Sequence, residues 1–508
     1  MQTFCISTLG CKVNQADSEA ISEQMSAAGF MQREFNEAAD IYIVNTCTVT
    51  HLGDRSSRLM ISQAHRRRPE ALLVVTGCYA ERNPEGVAAL PGVDLVIGNQ
   101  QKDALVEAIQ AHQPMPTEDE MVMAVDTDNV NTTQTLAPSE ILLPMLSVQE
   151  QHIGSDRGLE IDLNEVEPQP DNPERGPALF TASAAPGLAN HAQLHTRTRV
   201  QMKVQDGCDN RCTYCIVPYV RGGSRSRGIQ TVVEHVRRKV RAGFQEIVLT
   251  GIHLGDYHPD GDEKRDLGDL IAALLRETEI RRIRVSSLEP EDFRLEWLEL
   301  WQDPRMCRHF HLPMQSGSDV ILRRMARRYL SARYREIVTT AQRVIPGVAI
   351  STDIITGFPG ESDEDFEQTY QLANELHFAK AHVFRFSPRQ GTPAARMKGQ
   401  VKDEIKKARS ERLLALNDVH ARAFRQQFLG GEMDVLIEGR KHGRWEGLTD
   451  NYLRVELDET TAAALVAREE TGADTEGWQN RLVRVRLESL VEDGILGTLL
   501  AWPEKVAG

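Results

Sequence analysis

The sequence predicts an α/β protein built from three folded parts. These are a doubly wound parallel α/β domain over residues 1–112, a partial (β/α)6 TIM-type barrel over 197–429, and a small C-terminal all-β barrel over 430–508. Three observations carry that reading. Two stretches alternate apolar strand-like runs with helical periodicity, the pattern of parallel sheets covered on both faces. Residues 432–502 read instead as short alternating strands. The chain has 508 residues, and at roughly 100–200 residues per domain that length fits about three domains.

In the first domain, Thr3–Thr8 reads as a strand and Asn14–Ala28 as a helix stopped by Gly29. Asp40–Asn45 is a strand, and Asp54–Arg67 a helix stopped near Pro69. Strands at Ala71–Thr76 and Asp94–Ile97 follow, with helices at Pro84–Leu90 and Gln101–Ala111. In the second, Thr198–Val204, Glu246–Thr250, Arg282–Ser286, His309–Leu312, Val348–Ile355 and Lys380–Phe386 are six strands, separated by helical stretches such as Thr231–Ala242 and Glu364–Leu376. Val401–Phe428 is a long basic helix ended by Gly430-Gly431. Beyond it come strands at Met433–Glu438, Tyr452–Glu456, Leu482–Leu487 and Gly494–Leu500.

A net charge of −15 argues against bulk electrostatic binding of nucleic acid only if the charge is evenly spread. It is not. Between Gln113 and Thr196 stand 14 acidic residues against Arg157 and Arg175, about −12, which leaves about −3 for the rest of the chain. That stretch also holds nine of the 22 prolines and no cysteine. It reads as a disordered acidic insert or linker; the alternative is an elaboration packed on the core and anchored by residues 141–146. No apolar run approaches the roughly 20 residues of a membrane span, and the first residues lack a leader pattern, so a cytoplasmic protein without membrane contact is expected.

Eight cysteines in such a chain are ligands or reactive thiols more often than disulfides. Cys11, Cys47 and Cys78 each follow a predicted strand. Ligands of doubly wound sheets bind beyond the carboxyl ends of the strands, so these three thiols are expected to converge. Cys5 lies inside a strand, where a structural role is expected, and Cys307 stands alone. The segment Cys208-Asp209-Asn210-Arg211-Cys212-Thr213-Tyr214-Cys215 has the spacing C-x3-C-x2-C. Structural zinc wants four ligands, and no fourth stands at a suitable distance. Three thiolates suit a [4Fe–4S] cluster with one iron left open.

With these motifs the sequence resembles the radical S-adenosylmethionine (SAM) methylthiotransferases over essentially the whole chain outside the insert. The resemblance rests on the two cysteine trios, Leu312–Asp319 and Gly357–Glu361. Within the family, residues 215–222, 249–255 and 382–389 look like the branch that modifies N6-threonylcarbamoyladenosine beside the tRNA anticodon. They look less like the isopentenyladenosine or ribosomal-protein branches. The resemblance implies two [4Fe–4S] clusters. One, on Cys208, Cys212 and Cys215, binds SAM and cleaves it to a 5′-deoxyadenosyl radical that takes hydrogen from C2 of the base. The other, on Cys11, Cys47 and Cys78, holds the sulfur to be methylated and delivered. It further implies a tRNA anticodon stem-loop as partner, an electron donor such as flavodoxin or ferredoxin, and a sulfur source. A non-enzymatic metal-binding RNA adaptor is the rival from another class.

Cofactor contacts are expected at the strand ends facing the barrel mouth, at Gly251, Glu289, Gln315, Asp353 and Gly357. Gly357 and Gly360 permit close backbone approach but serve equally as turn glycines, and Glu289 as a solvated turn carboxylate. His253 reads as a structural histidine or a substrate contact. The C-terminal part resembles a TRAM-like RNA-binding barrel, yet its own charge is about −7. RNA contact therefore falls to local clusters: Arg440-Lys441-His442-Gly443-Arg444-Trp445; Arg481, Arg484 and Arg486; Arg221, Arg225 and Arg227; and Arg323, Arg324, Arg327 and Arg328.

Overall fold

The computed structural model describes residues 2–112, 198–259, 264–441, 443–457 and 478–501. The acidic insert expected at 113–196 lies outside the described residues. In the first domain, β1 (Thr3–Thr8), β2 (Met31–Gln32), β3 (Ile41–Thr46), β4 (Leu72–Gly77) and β5 (Leu95–Ile97) form one parallel sheet in the order β2-β1-β3-β4-β5. The apolar strands feed two cores, one around Phe4, Ile6, Ile43 and Val74, the other around Tyr42, Val44, Leu73 and Val75. Alternation sends successive side chains to opposite faces, so each face takes its own helices. The helices are α1 (Lys12–Ala27), α2 (His51–Arg67), α3 (Cys78–Arg82), α4 (Pro84–Ala88) and α5 (Leu105–His112). Helix α2 starts three residues before the expected Asp54 because the Thr50 hydroxyl accepts from Gly53 N and caps it there. The two-residue strand β2 is too short to leave a periodic signal.

The second domain has the six expected strands. They are β6 (Arg199–Lys203), β9 (Glu246–Thr250), β10 (Arg282–Val285), β11 (His309–His311), β12 (Ala349–Thr356) and β13 (Lys380–Arg385), and a ribbon of β7 (Gln205–Asp206) and β8 (Arg225–Ser226) follows the first. Parallel ladders β10-β9-β6 and β11-β12-β13 are joined by bridges from Ile283 to Met306 and Ser287 to His311, giving an open, partial barrel. One set of alternating residues, including Val200, Met202, Ile247, Leu249, Phe310 and Ile350, belongs to the main apolar core. The helices are α6 (Val217–Arg221), α7 (Ile229–Arg241), α8 (Leu267–Glu277), α9 (Asp319–Arg324), α10 (Ser331–Val344), α11 (Asp363–Leu376) and α12 (Asp403–Gln426).

The last part is a closed barrel in the order β14-β15-β16-β18-β17, made of β14 (Glu432–Lys441), β15 (Arg444–Thr449), β16 (Arg454–Leu457), β17 (Leu482–Val491) and β18 (Gly494–Ala501). The sequence reading missed β15 and began the next strand at Tyr452, whereas Tyr452 sits in the turn at φ 68°. This barrel is no free appendage. Its β15–β16 turn meets the amino ends of the second domain's strands. Arg284 donates to the carbonyls of Asp450 (2.9 Å) and Thr449 (3.2 Å), Arg308 pairs with Asp450 at 2.6 Å, and Tyr452 stacks on His309 with ring centroids 4.6 Å apart.

Candidate metal centres

The first trio is assembled by the sheet. Cys11 follows β1, Cys47 follows β3 and Cys78 follows β4, and the order β2-β1-β3-β4-β5 places the reversal of winding between β1 and β3, where such sheets open a crevice. Burial pushes the Cys47 thiol up to about 12, and the neighbouring Cys11 and Cys78 add to the rise. Glycine makes room for the group. A Cβ at Gly10, which has φ 100°, would stand 2.9 Å from Cys47 Sγ, and one at Gly77, φ 99°, would stand 2.4 Å from the Thr46 carbonyl oxygen. The loop after Cys47 is held from afar: the buried Arg389 donates to Thr48 O and reaches Asp54 at 2.8 Å, while Thr48 Oγ1 donates to Asp54 at 2.6 Å.

The second trio needs only a loop. Cys208 N donates to Gly222 O at 3.0 Å and Cys215 N to Cys212 O at 3.0 Å, closing the loop on itself. The sulfurs take donors: Val217 N to Cys215 Sγ at 3.4 Å and Arg327 Nη1 to Cys212 Sγ at 3.4 Å. Burial pushes the Cys215 thiol up to about 12, with Cys212 and Cys208 adding. Thiols held protonated in this way lose their protons to a bound metal group.

Both trios fit an iron–sulfur cluster better than a single ion. Among the described residues, the one set of three or more ligating side chains with donor atoms all within 4.8 Å of one another is His311, Asp353 and His382. A tetrahedral zinc, with Zn–S near 2.3 Å, draws its sulfurs to about 3.8 Å apart. Neither cysteine trio is that tight, as suits thiolates that bind different irons of one cluster.

The two centres adjoin. Cys78 opens α3, and its side chain packs with Ile216 and Val220, which lie just after Cys215 on and before α6. Asn99 joins the same contact, donating to Val220 O at 2.7 Å and to Cys78 Sγ at 3.7 Å. Behind it lies a buried charge network in which Asp17 meets Lys102 (2.8 Å), Lys203 and Arg221 (3.3 Å), and Arg221 meets Asp206 at 2.7 Å. Asp17 is held well below the usual carboxylate range. Burial alone would raise it, but Lys102, Lys203 and Arg221 outweigh that.

Of the expected cofactor residues, Gly251, Glu289, Gln315 and Gly357 follow the ends of their strands, whereas Asp353 lies within β12 rather than at its end. Glu289 is paired with Arg327, which also meets Glu291 at 3.1 Å. Gln315 is buried at φ 58°, and its N donates to Asp353 O at 2.8 Å. The Asp353 carboxylate pairs with His311 Nε2 at 3.1 Å, and Ser287 Oγ lies 3.0 Å from His311 Nδ1. Gly251 packs where a Cβ would stand 2.9 Å from Gln205 Oε1. Gly357, at φ 71°, abuts Lys406 with no space for a Cβ, and its N donates to Glu361 at 2.7 Å. His253 is buried, with Nε2 2.5 Å from Asp292. Burial lowers its pKa, yet hydrogen bonds to Asp292 and Cys208 win and raise it to about 10. Cys5 and Cys307 are buried thiols, each pushed up to about 12 by burial. Cys5 donates to Glu34 O at 3.0 Å.

Three residues of the expected RNA clusters, Arg221, Arg327 and Trp445, are turned inward. Arg221 and Arg327 are buried at the centres just described, because each satisfies carboxylates that would otherwise be stranded. Arg327 and Arg328 also lie beyond α9, which ends at Arg324. Trp445 is turned into its barrel's core and stacks on Trp478, leaving Arg440 over its ring at 5.3 Å. Arg225, Arg227, Arg323, Arg440, Lys441 and Arg444 are exposed. Asp17, Asn99 and Arg389 carried no sequence signal, since Lys102, Val220 and Asp54 lie 85, 121 and 335 positions away from them.

The Radical SAM superfamily matches residues 202–373, and the uncharacterized protein family UPF0004 matches residues 3–98. The threonylcarbamoyladenosine tRNA methylthiotransferase MtaB of Bacillus subtilis (strain 168) is 34% identical over 466 residues, 90% of this chain and 90% of that protein. The tRNA-2-methylthio-N(6)-dimethylallyladenosine synthase of Protochlamydia amoebophila (strain UWE25) is 30% identical over 444 residues, 87% of this chain and 86% of that protein. Among solved structures, the radical SAM methyltransferase TsrM from Kitasatospora setae, with cobalamin and a [4Fe-4S] cluster bound, has a TM-score of 0.50 at 14% identity, covering 77% of this chain and 73% of that one. That is a likeness of fold alone.

Proposed function

We infer the function from one premise: the chain belongs to the radical S-adenosylmethionine tRNA methylthiotransferases. It is a transferase that works with SAM and [4Fe–4S] chemistry. Within that family our reading is that it replaces C2–H of N6-threonylcarbamoyladenosine at position 37 with a methylthio group, using two clusters. The observation that carries it is the contact of Cys78 with Ile216 and Val220 beside Cys215, which makes the two trios neighbours across one helical turn. Bound at those trios, the groups supply one-electron cleavage of a sulfonium at one centre and a deliverable sulfur at the other.

The chain's own residues orient and enclose. Arg327 and the Val217 amide donate to the sulfurs of Cys212 and Cys215, and such donors set ligand orientation and redox potential. Arg389 and Asp54 hold the Cys47 loop, and Asn99 ties Cys78 to α6. Glu289, Gln315 and Asp353 are our candidates for contact with SAM. The exposed Arg323, Arg440, Lys441 and Arg444 are suited to phosphates of an anticodon stem-loop. Electrons come from a flavodoxin or ferredoxin and sulfur from a separate source, in the cytoplasm. Among the described residues no helix is long and apolar enough to cross a membrane.

Nucleoside analysis of tRNA from a deletion strain tests the substrate. The 2-methylthio form of N6-threonylcarbamoyladenosine should vanish while its unmethylthiolated precursor accumulates. Loss of the dimethylallyl form instead would move the protein to the second reading, to which the 30% identical synthase points.

A further inference from the structure

The strands of the second domain send alternate side chains away from the apolar core and into the barrel interior. On β11, β12 and β13, Phe310, Ile350, Ile354 and Val383 pack with that core, so His311, Asp353 and His382 stand on the inner face. The ladder sets Asp353 beside His382. It pairs His311 with Ser351, two residues before Asp353 and therefore on the same face. Three adjacent strands thus each offer one side chain able to bind a metal.

Their spacing suits a single ion. His311 Nε2 lies 3.1 Å from the Asp353 carboxylate, and the donor atoms of all three side chains lie within 4.8 Å of one another. An ion bonded to nitrogen and oxygen at about 2.1 Å holds tetrahedral ligands about 3.4 Å apart. One pair already stands at ligand spacing, and a small turn of His382 completes the set. Ser287 Oγ lies 3.0 Å from His311 Nδ1, the hydroxyl partner that orients a ligating imidazole and leaves its other nitrogen for the ion. The ring of His382 has no hydrogen-bond or ion-pair partner among the described residues. Burial lowers its pKa against the pull of Asp353, so the ring is neutral at physiological pH, the form that binds metal. A simple His311–Asp353 pair accounts for two of the three side chains and leaves the third beside them with nothing to bind.

The large cations of the interior do not claim this carboxylate. Arg284 pairs with Glu246 at 2.7 Å and Arg199 with Glu438 at 2.7 Å, while Lys203 meets Asp17 and Asp206. Lys380 and Lys12 act on His382 through their charge, which weakens any cation and leaves those with the strongest ligand bonds.

We propose that His311, Asp353 and His382 form a site for one divalent transition-metal ion of the zinc or ferrous class, inside the barrel and distinct from both cysteine trios. Two imidazoles and one carboxylate select such ions over magnesium and calcium, which take oxygen donors. Three protein ligands leave at least one position for water or an oxygen donor of a bound molecule, as in working rather than structural sites. Asp353 then serves the ion, and direct contact with SAM falls to Glu289 and Gln315.

The test is equilibrium dialysis of the reconstituted holoenzyme against zinc, with zinc and iron counted together. About one zinc per chain should bind without loss of iron, and excess magnesium should not displace it. Absorption at the zinc edge should show nitrogen and oxygen scatterers at about 2.0–2.2 Å and no sulfur at about 2.3 Å. His382→Ala and Asp353→Asn should each weaken zinc about a hundredfold or more, and Ser287→Ala, which removes no ligand, about tenfold. If the first two variants lose iron, Ser287→Ala carries the comparison. A wild type that takes up no zinc overturns the proposal, as does undiminished uptake in any iron-replete variant. So does zinc that enters as iron leaves or that shows sulfur neighbours, which would place it on the cysteines.

Discussion

The two cysteine trios differ in how much of the fold each requires. Cys208, Cys212 and Cys215 lie within eight residues and are held by a loop whose amides bond to one another. Cys11, Cys47 and Cys78 are spread over 68 positions and meet only because three parallel strands end on one edge. The first arrangement is local and costs little chain entropy to close, whereas the second is as stable as the sheet, the glycines and the distant Arg389 that hold it. The two centres should therefore fail separately.

The largest effects break the centres one at a time. Cys212→Ala should abolish 5′-deoxyadenosine release and methylthiolation together, whereas Cys78→Ala should abolish methylthiolation and keep SAM cleavage, each losing about four irons. Iron analysis and product chromatography check this, and identical losses from both variants would refute a division of roles. A step down, Gly77→Ala forces a side chain onto a backbone at φ 99° and ψ −171°, a region essentially reserved for glycine, at roughly 1–3 kcal/mol before its clash with Thr46 O is counted. Iron should fall at the first trio with the second trio's electron paramagnetic resonance signal unchanged.

Asp17→Asn sharpens the comparison from the interface. It leaves Lys102 and Arg221 short of a buried counter-charge, a loss of about 3 kcal/mol that thermal unfolding measures. Because the native carboxyl is held below its ordinary range, its stabilising contribution is full above about pH 4 and fades as the pH falls further. The asparagine variant should therefore lose that part of the acid dependence. Smallest of all, Arg440→Gln should weaken stem-loop binding a few-fold and lower the slope of log affinity on log salt by about one, leaving both iron sites intact.

Much of this was legible in the chain. Six barrel strands and the C-x3-C-x2-C loop read directly, since strand alternation and loop spacing are local properties. So did the strand-end positions of Cys11, Cys47 and Cys78, because the winding rule says where parallel strands present their ends. Charge was read less well. Arg221 and Arg327 look like solvent-exposed cations in any window of sequence, and only the fold brings Asp206, Asp17, Glu289 and Glu291 against them. Trp445 stands among cations in the sequence, and only the closed barrel turns it inward onto Trp478.

By itself, then, the sequence determined which residues carry chemistry: the thiol trios, the strand ends and the periodicity that makes two α/β domains and a β-barrel. Tertiary structure alone decided that the two trios adjoin through Cys78 and α6, that the C-terminal barrel caps the second domain's strands, and that Arg221 and Arg327 turn inward onto carboxylates. The physical reason is range. Backbone periodicity and thiol spacing are set within a few residues, while burial and charge pairing depend on groups tens to hundreds of positions apart that only packing brings together.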